Sequence, residues 1–504
     1  MALDRGQILQ RLKEKEVIVS PEALIGIMEY SEPEKIIEEL SKRNLMIADG
    51  QHVHDIVESI SIEGKVVQVE VLQQTFYDPP AKSIGSDISL SIRNDVTNNS
   101  RCTGSVEDFV RYFNDRFDKH RKSLRGMATE SGGIYSIRDV KNHLKGKQAR
   151  IIAMVYEKRV TKNGHLMFDI EDSDSTATLL VPKDSRIFYE ASQILNDEVI
   201  AFDTYHTDSS LLIAKNFVRP GRLLQERTKK LTEEEVLIGF LSDSHVGSKY
   251  FLQENFQKML EFLNGKGTPK QREIAGKIKY ISFAGDLVDG IGVYPSQEKQ
   301  LVTKSIHTQY EIFCEFIKTI PDHIEVIIAP GNHDAVRVAE PQPALSQEFW
   351  ESLKGYSNIH FVGNPSAHLV HGLELLMYHG TSLDGIISHT AMYKDGYDHP
   401  EKVAVGLLQR KHLSPLYGED PLVPESKDYL VIEETPDMFH FGHVHKNGHI
   451  ENYNGTLIVN SGTWQDRTDY QVRLGHMPTP CIFPYYNMHT GKLDHMNFKE
   501  GGGN

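Results

Sequence analysis

Residues 279–290, KYISFAGDLVDG, join a short apolar run directly to a polar cluster. The run is rich in β-branched and aromatic residues, which is typical of a strand buried on both faces. Asp286 and Asp289 follow it, and the neighbouring Gly285 and Gly290 let the backbone turn sharply and admit a substrate. Because active sites of α/β sheets lie at the carboxyl ends of strands, this stretch predicts a functional site.

Four further stretches repeat this pattern along the chain. They are VLIGFLSDSH (236–245), EVIIAPGNHD (325–334), LELLMYHG (373–380) and DMFHFGHVH (437–445). One histidine at a strand end is usually an ordinary core or surface residue. Five clusters in order, each after an apolar run, predict a divalent-metal site within an α/β domain over residues 234–495. Carboxylate, imidazole and amide groups suit such metals and bind them near neutral pH without a large protonation cost.

The N-terminal part of the chain predicts helices. Residues 1–65 are interpreted as a small helical domain, in which Ser31 and Glu34 have capping-box spacing and Ile36, Ile37 and Leu40 have helical spacing. Residues 66–140 are interpreted as a linker with one helix near 105–126. Ser105 and Asp108 would cap this helix. Its expected apolar face consists of Val106, Phe109, Val110, Phe113 and Phe117.

In residues 141–225, apolar and polar residues alternate with a period of two, which is typical of strands. QARIIAMVYEKRV (148–160), the turn at Asn163-Gly164 and HLMFDIED (165–172) predict a β-hairpin. Two later runs add strands, so a small barrel is expected, with an OB-fold as the first interpretation and an unrelated small β domain as the alternative. Such a barrel can stack single-stranded bases on aromatics or dock a protein. Phe168 fits the stacking role by position and fits a core role as well.

Composition restricts the function further. The net charge is −15, from 55 Lys+Arg and 70 Asp+Glu, so the chain alone is a poor binder of the nucleic-acid backbone. Either the substrate is small, or a partner supplies much of the affinity for nucleic acid. Cys102, Cys314 and Cys481 are scattered, which indicates a reducing compartment. We expect a cytoplasmic protein, because the N-terminus lacks a signal-peptide pattern and no apolar run has membrane-spanning length.

The motifs D-x-H, G-D-x-x-D-G, G-N-H-D, H-G and G-H-x-H, in this order, resemble those of the calcineurin-like metallophosphoesterases. The resemblance implies two packed β-sheets flanked by helices, and two divalent cations. It implies Asp243, His245 and His445 as ligands of one metal, Asn332, His379 and His443 as ligands of the other, and Asp286 as the bridge. It also implies that His333 contacts the phosphate and protonates or stabilises the leaving oxygen, and that Asp289 orients His333. Mn²⁺ or Mg²⁺ is expected, and Fe or Zn²⁺ also fits these ligands.

The resemblance extends to a narrower family. Gly290 stands where protein serine/threonine phosphatases have an arginine, which favours a phosphodiester substrate. The domain order and the phrases SDSHVGS, GDLVDGIGVYP, PGNHDAVR, LLQRKHLSPLYG and NSGTWQ resemble the small subunits of archaeal D-family DNA polymerases. A multi-domain α+β fold follows, with a helical domain, an OB-fold barrel and a metallophosphoesterase domain.

This narrower resemblance implies a metal-dependent 3′→5′ exodeoxyribonuclease that proofreads within a DNA-directed DNA polymerase holoenzyme. The partner would be a large subunit that carries the polymerase activity. The substrate would be single-stranded DNA or frayed 3′ ends, and a sliding clamp would be reached only through the holoenzyme. No membrane is involved. A stand-alone repair nuclease or phosphodiesterase and a non-catalytic assembly subunit remain alternatives.

Three basic residues are candidates for substrate binding. Arg410 and Lys411, with His412, form a basic patch that would touch the DNA backbone or the polymerase subunit, or else be a solvated face. Arg337 follows the GNHD motif by three residues and would contact phosphate or form a structural ion pair. The sequence does not name the native metal, and the polarity of digestion rests on the resemblance alone.

Overall fold

The computed structural model describes residues 5–15, 17–29, 33–42, 48–50, 52–53, 56, 78–127, 133–207, 211–222 and 226–499. The chain divides into two compact units, residues 1–77 and 78–504. The first unit contains helices α1 (Arg5–Glu14), α2 (Pro21–Glu29) and α3 (Pro33–Lys42). Ile36, Ile37 and Leu40 are buried in its core, as their spacing predicts. The predicted cap at Ser31 lies outside the described residues.

The second unit begins with α4 (Pro80–Ser83), strand β1 (Ile88–Arg93) and helix α5 (Val106–Arg125). The predicted linker is therefore wrong for residues 88–93, which form an edge strand. The alternation in ISLSIR signals a strand, but the polar residues around it concealed that signal. The capping box at Ser105 and Asp108 is confirmed.

The predicted apolar face of α5 is right in part. Phe117 is buried and Phe109 and Phe113 are partly buried, whereas Val106 and Val110 are exposed. The buried face also carries Tyr112, Arg116 and His120. The helix packs through buried polar side chains as well as apolar ones, and a search for apolar periodicity alone misses the polar ones. Arg116 is the clearest case, because its Nε donates to the carboxylate of Asp428 at 2.7 Å.

A five-stranded barrel follows, formed by strands β3 (Gln148–Val160), β4 (Leu166–Glu171), β5 (Thr176–Val181), β6 (Val199–His206) and β7 (Leu212–Val218). Pairing of β3 with β6 closes it, and β2 (Ile134–Tyr135) adds to β3. Helices α6 (Ile137–His143) and α7 (Phe188–Ser192) accompany the barrel. Phe168 is fully buried beside Phe202, so it is a core residue and cannot stack a base.

Two six-stranded sheets form the remainder of the second unit. The first sheet has the order β11-β10-β9-β8-β17-β18. Its strands are β8 (Leu237–Leu241), β9 (Ile278–Ala284), β10 (Glu325–Ala329), β11 (Ile359–Phe361), β17 (Ile482–Asn487) and β18 (Lys492–Asn497). The second has the order β1-β12-β13-β14-β16-β15. Its further strands are β12 (Ser366–Val370), β13 (Leu373–Met377), β14 (Met438–Phe441), β15 (Asn447–Tyr453) and β16 (Thr456–Ser461).

The two sheets pack face to face through one apolar core, to which Phe240 and Ile327 of the first sheet and Leu375 and Val459 of the second contribute. Helices α8 (Gln253–Leu263), α9 (Pro269–Lys277) and α10 (Ile306–Ile317) pack with the first sheet in a separate core. Helices α11 (Leu383–His389) and α12 (Pro400–Arg410) cover the second sheet. A short helix, α13 (Asp469–Leu474), follows β16. In the part of the chain described, no helix is both long and apolar enough to cross a bilayer.

The sheet topology brings the five polar clusters together. Strands β8, β9 and β10 are parallel neighbours in one sheet, and β13 and β14 are parallel neighbours in the other. Each ends immediately before one of the polar clusters, so all five clusters lie at the same end of the two packed sheets.

Candidate metal centre

The strand ends turn by means of an unusual backbone conformation. Asp243, His245, Asp286, His443 and His445 all have positive φ, between 48° and 71°. Residues with a Cβ rarely adopt this left-handed region, and they do so mainly where the surrounding structure enforces it. Main-chain bonds between neighbouring strand ends do so here, for example from Asp243 N to Gly285 O at 2.9 Å. The turns direct the side chains into one shared space.

The first group of predicted ligands is compact and buried. Nε2 of His245 lies 3.0 Å from Nε2 of His445, and Nε2 of His445 lies 3.4 Å from a carboxylate oxygen of Asp243. Atoms that are this close in a buried site leave little room for water between them. These three side chains could hold one metal ion.

The second group centres on the side-chain oxygen of Asn332. Nε2 of His379 lies 2.9 Å from this oxygen, and Nδ1 of His443 lies 3.0 Å from it. Asp286 lies between the groups, with one carboxylate oxygen 3.6 Å from Nε2 of His245 and 3.4 Å from Nε2 of His379. The structure thus brings together all seven side chains that the sequence predicts as ligands.

The donor set fits divalent cations. Asp243, Asp286 and Asp289 are buried, and the ion pairs that they form are with histidines. Buried carboxylates require compensation by positive charge. The pKa of His379 responds accordingly: burial lowers it, but the carboxylates of Asp286 and Asp243 outweigh burial and raise it to about 10. Positive charge at this point is therefore strongly favoured, as in a site for cations.

Contacts around the candidate ligands fix the orientation of their imidazole rings. Nδ1 of His379 lies 2.8 Å from the carbonyl of Ala284 and donates to it, which leaves Nε2 facing Asn332 and Asp286. The side-chain amide of Gln471 lies 2.8 Å from Nδ1 of His445. Such partners of ligand histidines set ring orientation and ligand basicity. No pattern in the sequence pointed to Gln471, which lies in the short helix α13 outside the five motifs.

His333 lies beside the candidate ligands. Its main-chain N–H donates to Asp286 at 2.9 Å, and Nδ1 donates to the main-chain carbonyl of Asp289 at 2.7 Å. Nε2 thereby remains available. Burial lowers the pKa of His333, and the carboxylate of Asp286 offsets this only in part.

Asp289 contacts two histidines in different ways. Its carbonyl accepts from His333, whereas its carboxylate lies 3.2 Å from Nδ1 of His245. The side chains of Gln297 and Gln465 donate to the same carboxylate. The predicted contact between Asp289 and His333 is present, but it is made by the main chain rather than the side chain.

The GNHD segment is fixed by Asp334, for which no role was predicted. The buried carboxylate accepts from the main-chain N–H groups of Gly331 at 2.7 Å and Leu287 at 3.2 Å, and from the hydroxyl of Tyr310 at 2.9 Å. Burial and the nearby carboxylate of Asp286 raise the pKa of Asp334 to about 7. These bonds join the second and third motifs.

The candidate substrate-binding residues require correction. Arg337 pairs with Glu425 at 3.0 Å and donates to Pro341 O, so the structure favours the structural ion pair over phosphate contact. Arg410 is buried and pairs with Glu198 of the barrel at 2.7 Å, which leaves its guanidinium with no path to DNA. Lys411 is partly buried and donates to Glu433 O. The predicted basic patch is therefore not an open surface.

Comparisons with known proteins identify the family of the chain. The B-subunit family of DNA polymerases alpha and epsilon matches residues 238–448. The DNA polymerase II small subunit of Methanocaldococcus jannaschii is 41% identical, over 81% of this chain and 68% of that protein. The corresponding protein of Methanothermobacter thermautotrophicus is 34% identical, over 97% of this chain and 99% of that protein. That of Archaeoglobus fulgidus is 39% identical, over 78% of each chain. The chain therefore belongs to the family of archaeal, D-family DNA polymerase II small subunits.

Proposed function

We propose that this chain is the 3′→5′ exonuclease subunit of a two-subunit DNA polymerase, and that it removes nucleotides from single-stranded or frayed 3′ ends. The observation that carries the proposal is the convergence of seven candidate ligands, with Asp286 between the two groups and His333 beside them. Phosphoesterases that hydrolyse in line with two metals need such a set. The two packed sheets would then be a calcineurin-like domain over residues 234–495, and the barrel an OB-fold over residues 141–225.

Two divalent cations would be held by the predicted ligand groups. Asp243, His245 and His445 would hold one, Asn332, His379 and His443 the other, and Asp286 would lie between them. When bound, Mn²⁺, Mg²⁺ or a similar ion supplies an activated water and neutralises charge on the phosphate oxygens. The chain itself provides buried carboxylates whose charge only cations or protonated imidazoles can balance.

His333 would act on the leaving group. Because Nδ1 donates to the carbonyl of Asp289, the ring presents Nε2 to the substrate. A proton on Nε2 would pass to the 3′ oxygen of the penultimate nucleotide as the phosphodiester bond breaks. Transfer of this kind contributes roughly 10²–10⁴-fold to the rate. The carboxylate of Asp286, 4.0 Å from Nε2, offsets in part the burial that lowers the pKa of His333.

Gly290 supports a diester rather than a monoester substrate. Its φ is 75°, and a Cβ at this position would lie 2.3 Å from the carbonyl oxygen of His333. No arginine side chain can therefore stand here to grip a terminal phosphate without displacing the loop that carries His333. A diester, with one fewer negative charge, needs no such residue.

The net negative charge of the chain supports the proposal that a partner subunit binds the DNA. At a net charge of −15, the protein has little general attraction for the DNA backbone. We propose that a large subunit supplies the polymerase activity and most of the grip on DNA. The ion pairs of Arg410, which is buried, and of Arg337, which is partly buried, strengthen this argument, because they engage two cations that the sequence offered for DNA binding.

The test uses the full chain, with and without the large subunit, and single-stranded DNA labelled at its 5′ end. We expect a ladder of products shortened from the 3′ end in the presence of Mn²⁺ or Mg²⁺. The His333→Ala variant should lose at least 100-fold of this activity while calorimetry still detects metal binding, in line with the loss of a general acid. His495→Ala, at an exposed histidine of β18, should behave as the wild type.

Two results would count against the proposal. Equal digestion by the wild type and His333→Ala would remove His333 from the chemistry. A complete lack of digestion under both conditions would favour a subunit that only assembles the polymerase.

A further inference from the structure

We propose that Tyr294 and Tyr470 form a stacking platform for a nucleobase at the DNA end, directly beside the catalytic centre. This inference rests on the proposed function and deepens it, because it names how the site would hold its substrate. The ligand is a planar base of any sequence within single-stranded DNA. Neither tyrosine belongs to the five motifs.

The two tyrosine rings are nearly parallel to each other, and one of them lies beside His333. The ring centroids of Tyr294 and Tyr470 lie 6.3 Å apart, and the rings are inclined by only 28°. The ring centroid of Tyr294 lies 6.1 Å from that of His333. A base that contacts these rings therefore lies close to the phosphate that His333 would reach.

The position of Tyr470 is fixed by its own helix. Thr468 and Gln471 form a capping box at the start of α13, and the amide of Gln471 also contacts His445 at 2.8 Å. Tyr470 lies next to Gln471 in the chain and so is tied to the predicted ligand set. A rigid mount of this kind reduces the entropy lost when a base binds.

The exposed surface here is apolar and aromatic. Tyr470 is 52% exposed, and Ile291 and Val293, in the loop that leads to Tyr294, are 50% and 37% exposed. An exposed apolar patch at the mouth of a polar site is typical of ligand binding. The charges of the neighbouring Lys249 and Asp469 face each other at 4.0 Å and largely offset one another. A base presents an uncharged π-face, so it fits this apolar surface better than the charged phosphate backbone does.

Stacking on aromatics also fits the action of a proofreading enzyme. Each base has a π-face, so a stacking platform accepts every sequence. An unpaired base is free to leave the duplex and stack, whereas a paired base is held by its neighbours. The platform would therefore select frayed ends without reading any base edge.

The experiment compares Tyr470→Ala and Tyr470→Phe in the full chain, with its large subunit where digestion needs it. The substrates are 5′-labelled single-stranded oligonucleotides with either normal or abasic nucleotides at the last two 3′ positions. For the normal oligonucleotide, Tyr470→Ala should lower kcat/KM by about tenfold and weaken equilibrium binding similarly, in line with stacking on one base. Tyr470→Phe should retain the kcat/KM and the binding affinity of the wild type. For the abasic oligonucleotide, all three proteins should be equal.

Tyr356→Ala is the matched control, because this partly exposed tyrosine lies before β11, at the opposite end of the sheet. It should match the wild type on both substrates. An equal loss by Tyr470→Ala on both oligonucleotides, or no loss on either, would overturn the platform. Binding needs no hydrolysis, so a wild type that binds selectively but does not digest would contradict the proposed function and leave the platform standing.

Discussion

The carboxylate of Asp384 lies 3.1 Å from Nε2 of His443, while Nδ1 of the same ring lies 3.0 Å from the amide oxygen of Asn332. Asp384 is in the first turn of α11, and the hydroxyl of Tyr397 donates to its other oxygen at 2.9 Å. The carboxylate is thus fixed from one side and holds the imidazole from the other. This orients Nδ1 toward the proposed metal site.

Asp384→Asn should weaken metal binding by about 10- to 100-fold, which is the usual effect of losing a partner of a ligand histidine. The substitution keeps the size of the side chain and removes the charge that stabilises a donor at Nε2. Mn²⁺ titrations, followed by calorimetry and by activity, measure the effect. Asp395→Asn, at an exposed carboxylate paired with Lys402, is the control and should change nothing. Equal metal affinity of Asp384→Asn and the wild type would contradict a positioning role.

Asp289→Asn should act through His245 rather than through His333. The main-chain carbonyl that accepts from His333 remains in the variant, and only the carboxylate near His245 loses its charge. We therefore expect weaker metal binding, by about 10- to 100-fold, and recovery of most activity at saturating metal. His333→Ala should show no recovery at any metal concentration. If Asp289→Asn also stayed inactive at saturating Mn²⁺, its carboxylate would have a direct part in the chemistry.

The site was largely predictable because its residues lie in short local motifs. Each candidate ligand follows an apolar strand within a few residues, so strand and cluster could be recognised together from the sequence. The contacts that orient the rings could not be predicted, because Asp384 and Gln471 come from segments that carry no pattern of their own. Only the packing of α11 and α13 brings them to the candidate ligands.

The fold was predictable from the sequence where the periodicity of apolar residues is strong. The prediction failed where polar side chains are buried. Closure of the barrel followed the alternation in its strands. The buried face of α5 followed its apolar residues only in part: Phe117 is buried, but Val106 and Val110 are exposed, and Arg116 is buried against Asp428. The prediction that Arg410 lies on the surface was wrong for the same reason. A charged residue is expected to face solvent, and the sequence does not reveal a distant partner such as Glu198.

Gly331→Ala should disable the site and destabilise the protein by about 1–3 kcal/mol, the usual effect of overpacking. A Cβ at Gly331 would lie 2.2 Å from a carboxylate oxygen of Asp286 and 2.7 Å from Cε1 of His379. Asp286 would have to move out of its position between the ligand groups. Activity assays and urea unfolding of the full chain measure the two effects. Gly355→Ala, where a Cβ meets nothing within 4 Å, is the matched control, and a similar loss in both variants would refute the steric argument.

A buried pair of histidines joins α5 to the segment that follows α12. His412 donates through Nε2 to Asp428 at 2.8 Å and accepts at Nδ1 from Ser414 N at 3.1 Å, so the ring is held neutral. His120 lies against it and donates from Nε2 to Lys411 O at 3.1 Å. Burial and the charge of Arg116 lower the pKa of His412 to about 4. Burial and His412 lower the pKa of His120 to about 3.

These two histidines should make the protein less stable as the pH falls below about 6.5, the ordinary pKa of histidine. In that range the unfolded chain binds protons that the folded state excludes, so the free energy of unfolding falls with pH by up to about 1.4 kcal/mol per pH unit for each ring. The loss continues down to the folded-state pKa values. In His120→Phe, one ring no longer titrates, and the fall in stability between about pH 6.5 and 4.5 should be shallower by up to that amount per pH unit. Urea unfolding midpoints at several pH values measure the slope, with His495→Phe as the exposed control. If His120→Phe kept the slope of the wild type, the acid sensitivity would have to arise elsewhere in the chain.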